Sequence, residues 1–262
     1  MSRRSLCGLA AAWLGLLASC GGGGGEAPAL EPVVAPAPPV ELPPPAPPPV
    51  EPPAAPLVAP GNWVVMGSST PAGAGARIQS WVQAVTAKYA DRSVTVFNIA
   101  KGGKTTYEAL PAATPLVDNR PPPDPEANVD AALAKSPKLV IISFPSNDTT
   151  VGYSVDETVQ NLMRVRSIAQ TGGASVIVVS MQPLSTIPAE RLALLAEIDG
   201  HLAALVGPCF VPTREALAAP DGTLAPSYDS GDGVHVNDAG HAVIAARVEA
   251  VIDSGECVRA AP

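Results

Sequence analysis

The sequence predicts an α/β domain built on a parallel sheet with helices on both faces, and three observations lead to it. Apolar, β-branched runs of strand length alternate with longer stretches whose apolar residues recur at helical spacing. One run, Lys138 to Phe144, is apolar without alternation, the pattern of an interior parallel strand covered on both sides. Polar turns follow Gly67, Ile99 and Phe144, and in a parallel sheet such turns converge on the edge formed by the strands' carboxyl ends, where sites are built.

Trp63 to Gly67 is the first strand, and Ala74 to Ala90 reads as a helix through Ile78, Trp81, Val82 and Val85. Ser93 to Ile99 is a second β-rich run, followed by the turn Ala100-Lys101-Gly102-Gly103. Pro111 to Asn128 is proline-rich and expected to be an extended surface loop, and Val129 to Lys135 a short helix. After the strand at Lys138 to Phe144, Ser154-Val155-Asp156-Glu157 is a capping box opening a helix with Val159, Leu162, Val165 and Ile168, closed by Gly172-Gly173. Ala174 to Ser180 is another buried strand, Pro188 to Val206 a leucine-rich helix, and Cys209 to Val211 a short last strand. Asn237 or Asp238 caps a final helix holding Val243, Ile244, Val248 and Val251.

Ahead of this domain, which occupies residues 61–262, the composition is of another kind. Residues 1–20 carry Arg3 and Arg4, an apolar core from Leu6 to Leu17 and small residues behind it. That is the layout of a secretory signal, with an apolar core too short to span a bilayer. Leu17-Ala18-Ser19-Cys20 has the form of a bacterial lipobox, in which Cys20 becomes the lipidated first residue, and ordinary signal cleavage is the alternative. Residues 21–60 hold five glycines and about half of the chain's 31 prolines. Proline this dense supports neither helix nor ladder, so the segment is expected to be a polyproline-like tether, reaching on the order of 100 Å. The expected location is therefore exported and membrane-anchored, periplasmic or on the outer-membrane face; Gly21 is not the aspartate associated with inner-membrane retention.

The net charge of −8 and a pI near 4.8, with no basic stretch, argue against nucleic acid as a partner. Of four cysteines, Cys209 and Cys257 are expected to pair in an oxidising compartment, with two free thiols as the alternative. No metal-ligand spacing is present, and neither metal nor cofactor is expected. A monomer is expected.

Gly67-Ser68-Ser69-Thr70 ends a buried strand in a turn, a common mount for a nucleophilic hydroxyl and equally an ordinary strand-to-helix turn. Acyl transfer by serine needs a base, a group that orients the base, and donors for the oxyanion. The histidines are His201, His235 and His241. His201 lies inside the leucine-rich helix. In Asp232-Gly233-Val234-His235 the aspartate can fold back onto one ring nitrogen and leave the other facing a serine. Asp238 and His241 have the same spacing, but Asp238 is better placed as a helix cap. Candidate oxyanion donors are the Ser69 N–H, the Gly103 N–H and the Asn147 side-chain amide, for which an Asx turn is the alternative. Asp148 reads as structural.

Gly67-Ser68-Ser69-Thr70, Asn98 to Gly103, Pro145-Ser146-Asn147-Asp148 and Asp232-Gly233-Val234-His235 together resemble the four blocks of the SGNH (GDSL-type) esterase and lipase family, in family order and across nearly the whole domain. The resemblance implies a flavodoxin-like three-layer α/β/α sandwich with a central parallel sheet. It implies Ser69 as nucleophile, His235 as base, Asp232 as its orienter, and an oxyanion hole of Ser69, Gly103 and Asn147. Three positions depart from the pattern: Ser68 stands for the usual aspartate, Ala100 for a common glycine, and Pro145 for the glycine two residues before the asparagine. The expected activity is hydrolysis of carboxylic esters, short-chain acyl and especially acetyl esters on polysaccharides foremost. A lipase or lysophospholipase and a non-catalytic carbohydrate-binding lipoprotein are the alternatives. Tyr107, Tyr153 and Tyr228 flank these blocks as candidate substrate contacts.

Overall fold

The computed structural model describes residues 60–144 and 146–258. The signal, Cys20, the tether up to residue 59 and the departure at Pro145 lie outside the described residues. Five strands, β1 (Gly61–Gly67), β2 (Val94–Asn98), β3 (Leu139–Ser143), β4 (Ser175–Val179) and β5 (Phe210–Val211), form one sheet in the order β2-β1-β3-β4-β5. Every pairing is parallel. The order reverses at β1, and the crevice at such a switch point is where doubly wound sheets bind ligands.

Period-two alternation along the strands separates two apolar layers. Trp63, Val65, Leu139, Ile141, Ile177 and Val179 face α1 (Trp81–Tyr89) and the final helix (Asp238–Asp253). Val64, Met66, Val140, Ile142, Val176 and Val178 face the opposite way. There they meet α2 (Val129–Leu133), α4 (Val155–Thr171) and α5 (Ala189–Val206). The strand β3 is buried along its whole length, as its unbroken apolar run requires. The Ala189–Cys209 segment is apolar and long enough to cross a membrane, but Leu195, Ile198, Leu202 and Val206 pack into the core, so it is a layer helix of the sandwich.

Short helices not anticipated from sequence follow β3 (α3, Asn147–Val151) and β5 (α6, Arg214–Leu217), and the final helix is α7. The helix expected from Ala74 begins only at Trp81. Ser80 and Gln83 form a capping box that starts it there, and the preceding N–H groups are taken by Asp238 from across the molecule. Ile78, read as one of that helix's apolar positions, lies ahead of it and is 88% exposed. Asn237, not Asp238, caps α7, accepting from the Gly240 N–H at 3.1 Å. Cys209 and Cys257 are bonded, with Cα atoms 5.3 Å apart; in the chain-entropy picture a loop of that size stabilises by about 4 kcal/mol.

Candidate active site

The turn after β1 is shaped by Gly67, where a Cβ would sit 1.9 Å from the Ser143 carbonyl oxygen. Any side chain there would push β1 from β3, so the strand ends tightly and delivers two serines. They have opposite fates. Ser68 is fully buried, and its Oγ is without a partner among the described residues. Ser69 is half-buried, and its Oγ lies 3.0 Å from His235 Nε2.

His235 is presented by a loop that is bonded mostly to itself. Asp229 accepts the Gly231 and Gly233 N–H groups at 2.8 and 3.0 Å. Asp232 Oδ1 accepts the Val234 and His235 N–H groups at 2.9 and 2.8 Å, and Oδ2 lies 2.6 Å from His235 Nδ1. Burial pushes the Asp232 carboxyl up, but the N–H groups and the ring beside it hold it well below the usual carboxylate range. An ionised carboxylate only accepts, so Nδ1 carries a proton, and in the neutral ring Nε2 is then the acceptor facing the Ser69 hydroxyl. Residues 166 apart in sequence thus form a hydroxyl–imidazole–carboxylate chain.

The turn after β2 closes against the serine. Asn98 accepts the Ala100 N–H and donates to the Pro71 carbonyl at 2.7 Å, and the Lys101 N–H reaches the Gly67 carbonyl at 3.1 Å. A Cβ on Gly102 would lie 3.9 Å from Ser69 Cβ. Gly103, with φ of +78° and open space where a Cβ would point, needs glycine for its backbone alone. Asn147, in the first turn of α3, donates to the Lys104 carbonyl at 2.8 Å, which holds it against this same turn. Asp148 is buried behind it and accepts from the Thr106 N–H and hydroxyl; burial pushes its carboxyl up, and those bonds oppose the rise. The fold therefore gathers Ser69, Gly103, Asn147, Asp232 and His235 at one sheet edge.

Other candidates are placed elsewhere or differently occupied. His241 is fully buried, accepting the Trp81 N–H at Nδ1 and donating from Nε2 to the Ala74 carbonyl. Burial pushes its pKa down, and it staples a loop. His201 is exposed on α5. Tyr107 and Tyr153 meet edge to face, centroids 5.4 Å apart, and Arg120 lies 4.1 Å from the Tyr153 centroid. The Tyr107 hydroxyl and the Arg120 guanidinium both donate to Glu157, so these rings are engaged within the protein. Tyr228 packs on the core, and its carbonyl accepts the Asn237 N–H at 2.7 Å. Sequence reasoning missed Asp229, Gly75 and Gln182, none of which lies in a local motif, and gave Thr70, inside the first block, no role of its own.

A doubly wound parallel α/β fold with a serine–histidine–aspartate chain at the carboxyl edge of its sheet defines a hydrolase-like class of protein. The sequence profile of the GDSL-like Lipase/Acylhydrolase family matches residues 65–243, and the chain belongs to that family, whose members are ester hydrolases. Among solved structures it is similar to a mutant of an acetyl-xylooligosaccharide esterase from Geobacillus Stearmophilus (17% identity, 75% of this chain and 96% of that one, TM-score 0.57). It is also similar to TesA (21%, 74% and 98%, 0.55) and to a GDSL-like lipase from Bacteroides thetaiotaomicron (20%, 74% and 88%, 0.53). At these identities the likeness is one of fold. No curated protein sequence matches the chain.

Proposed function

We propose that the chain is an exported serine ester hydrolase that works through an acyl-serine intermediate on short acyl esters, acetyl groups on carbohydrates foremost. The observation that carries this reading is the pair of contacts, 3.0 Å from Ser69 Oγ to His235 Nε2 and 2.6 Å from His235 Nδ1 to Asp232. In the proposed reaction His235 takes the hydroxyl proton as Ser69 Oγ attacks the ester carbonyl. The N–H groups of Ser69 and Gly103 and the Asn147 amide receive the developing oxyanion. Collapse expels the alcohol, which leaves with the proton from His235, and water attacks the acyl-serine by the same route in reverse. Asp232 orients the ring and stabilises the imidazolium without taking its proton.

The carbohydrate reading is compatible with the described activity of the acetyl-xylooligosaccharide esterase of the same fold, and a lipidated Cys20 on a long tether would suit a polymer at the cell surface. Hydrolysis of p-nitrophenyl esters from acetate to palmitate, run beside acetylated xylan and peptidoglycan, tests it. Wild type is expected to favour the shortest chains, and Ser69→Ala to lose several orders of magnitude in turnover. A long-chain optimum would move the assignment to a lipase. Silence of the wild type on every substrate would favour a carbohydrate-binding role. Full activity of Ser69→Ala with loss in Ser68→Ala would displace the nucleophile.

A further inference from the structure

A buried bridge lies next in sequence to both members of the Ser69–His235 contact. The Thr70 hydroxyl, one residue after Ser69, donates to Gln182 Oε1 at 2.9 Å. The Gln182 amide in turn donates to the carbonyl of Val234, one residue before His235. Thr70 and Gln182 are 2% and 3% exposed, a burial that a primary amide tolerates only when its polar atoms are bonded. The direction of the bridge is fixed by chemistry. A backbone carbonyl can only accept, so the amide nitrogen must face Val234 and its oxygen must face Thr70.

Gln182 is itself held from behind. It follows β4 by three residues, and the N–H of the adjacent Met181 is accepted by Asp199 at 2.7 Å. Asp199 in turn accepts from Arg214 Nε at 3.0 Å. The glutamine thus projects from the sheet edge between two segments that share no local sequence, spanning 112 residues to Thr70 and 52 to Val234.

We infer that Gln182 is a positioning residue that sets the Ser69–His235 separation by tying Thr70 to Val234. The inference rests on the acyl-serine reading above. Gln182 acts through its two neighbours and contacts neither reacting atom. Loosening it would let the nucleophile and base drift, and a misplacement of about 1 Å costs on the order of 100-fold in rate.

The test uses the full chain with Gln182→Met, which keeps length without polar atoms, Gln182→Glu, which keeps the acceptor but loses the donor, Thr70→Val and Thr70→Ser. Gln182→Met and Thr70→Val are each expected to lower kcat on p-nitrophenyl acetate by about 10- to 100-fold, with KM changed less than about 3-fold. Gln182→Glu is expected to fall with them, because a carboxylate oxygen would oppose the Val234 carbonyl. Thr70→Ser, which keeps the hydroxyl, is expected to recover most of the rate. The Thr70→Val/Gln182→Met double variant should fall no further than the worse single, since both break one bridge. The inference is overturned if folded Gln182→Met keeps wild-type kcat, if KM rises with kcat unchanged, or if Thr70→Ser falls as far as Thr70→Val. Should the Gln182 variants fail to fold, the Thr70 pair decides alone. Labelling by a fluorophosphonate separates the two levels. A wild type that is neither labelled at Ser69 nor active sinks the acyl-serine reading, whereas a labelled, active wild type beside an equally active Gln182→Met sinks only the bridge.

Discussion

The half of the site that holds Ser69 and His235 and the half that holds Gly103 and Asn147 meet at one sheet edge, yet they differ in how much surface ion pairing fastens them. In the first, side chains seize backbone. Asp238 Oδ1 accepts the N–H groups of Arg77, Ile78 and Gln79 at 3.0, 2.8 and 3.2 Å. His241 spans Trp81 and Ala74, and a Cβ on Gly75 would stand 2.2 Å from the Val236 carbonyl oxygen. In the second, Asn147 and Asp148 also bond to backbone, but long charged side chains add a set of ion pairs. Lys101 pairs with Asp124 and Glu126, Lys104 with Glu108 and Asp124, and Arg120 with Glu157. A bond to backbone fixes where a loop runs. An ion pair on a partly exposed surface contributes little and weakens with salt. The nucleophile and base are therefore held chiefly by bonds to backbone, whereas the loop of residues 111–128, which borders the Gly103 turn, also depends on ion pairs that conditions can tune.

The largest effects should separate the two halves by role. On p-nitrophenyl acetate, His235→Ala is expected to lower kcat/KM by about three orders of magnitude or more. Removing one donor in Asn147→Ala should cost about 10²- to 10³-fold in kcat. An inactive but folded His241→Ala beside an active His235→Ala would break the assignment of the base.

A pair of glycines sharpens the contrast next. Gly75 and Gly103 have similar positive φ, +88° and +78°, but only Gly75 is crowded by backbone. Urea unfolding should show Gly75→Ala losing about 2–4 kcal/mol and Gly103→Ala about 1 kcal/mol, from strain alone. Equal losses would mean that the loop of residues 72–80 is not pinned as described.

Acid should act on both halves, through Asp232 and Asp238 in the first and through Glu157 and Asp124 in the second. Burial pushes the Glu157 carboxyl up, but Ser154, Arg120 and Tyr107 outweigh it and hold the group at about 2. Asp124 is likewise held at about 2, burial being offset by the Glu126 N–H, Lys104 and Lys101. Each folded pKa lies below its unfolded value, so the stabilisation is present above about pH 4.5 and is lost as pH falls toward 2. Thermal melts across that window should show the decline, and Glu157→Gln should flatten part of it.

The smallest effect expected is that of salt. Raising NaCl to about 1 M should speed hydrogen exchange in residues 100–128 more than in residues 72–80 and 229–241, since the latter are held by short bonds from side chains to backbone rather than by surface ion pairs. Uniform acceleration in both would erase the distinction.

What the sequence determined by itself is whatever is set within a few residues. Strand burial follows from runs such as Leu139–Ser143, and the start of α4 from Ser154 and Glu157, whose capping box the structure reproduces. The Asp232–His235 bond was legible because three residues of loop place carboxylate and ring side by side. Tertiary structure decided the rest, because the partners are remote in sequence. Asp238 had every local mark of a cap, yet its carboxylate is spent on three N–H groups some 160 residues away, just ahead of α1, which begins only at Trp81 and leaves Ile78 exposed. Choosing His235 over His241 rested on that same mistaken cap. In the structure the two rings differ for another reason: packing consumes both nitrogens of His241 and leaves His235 Nε2 3.0 Å from Ser69 Oγ.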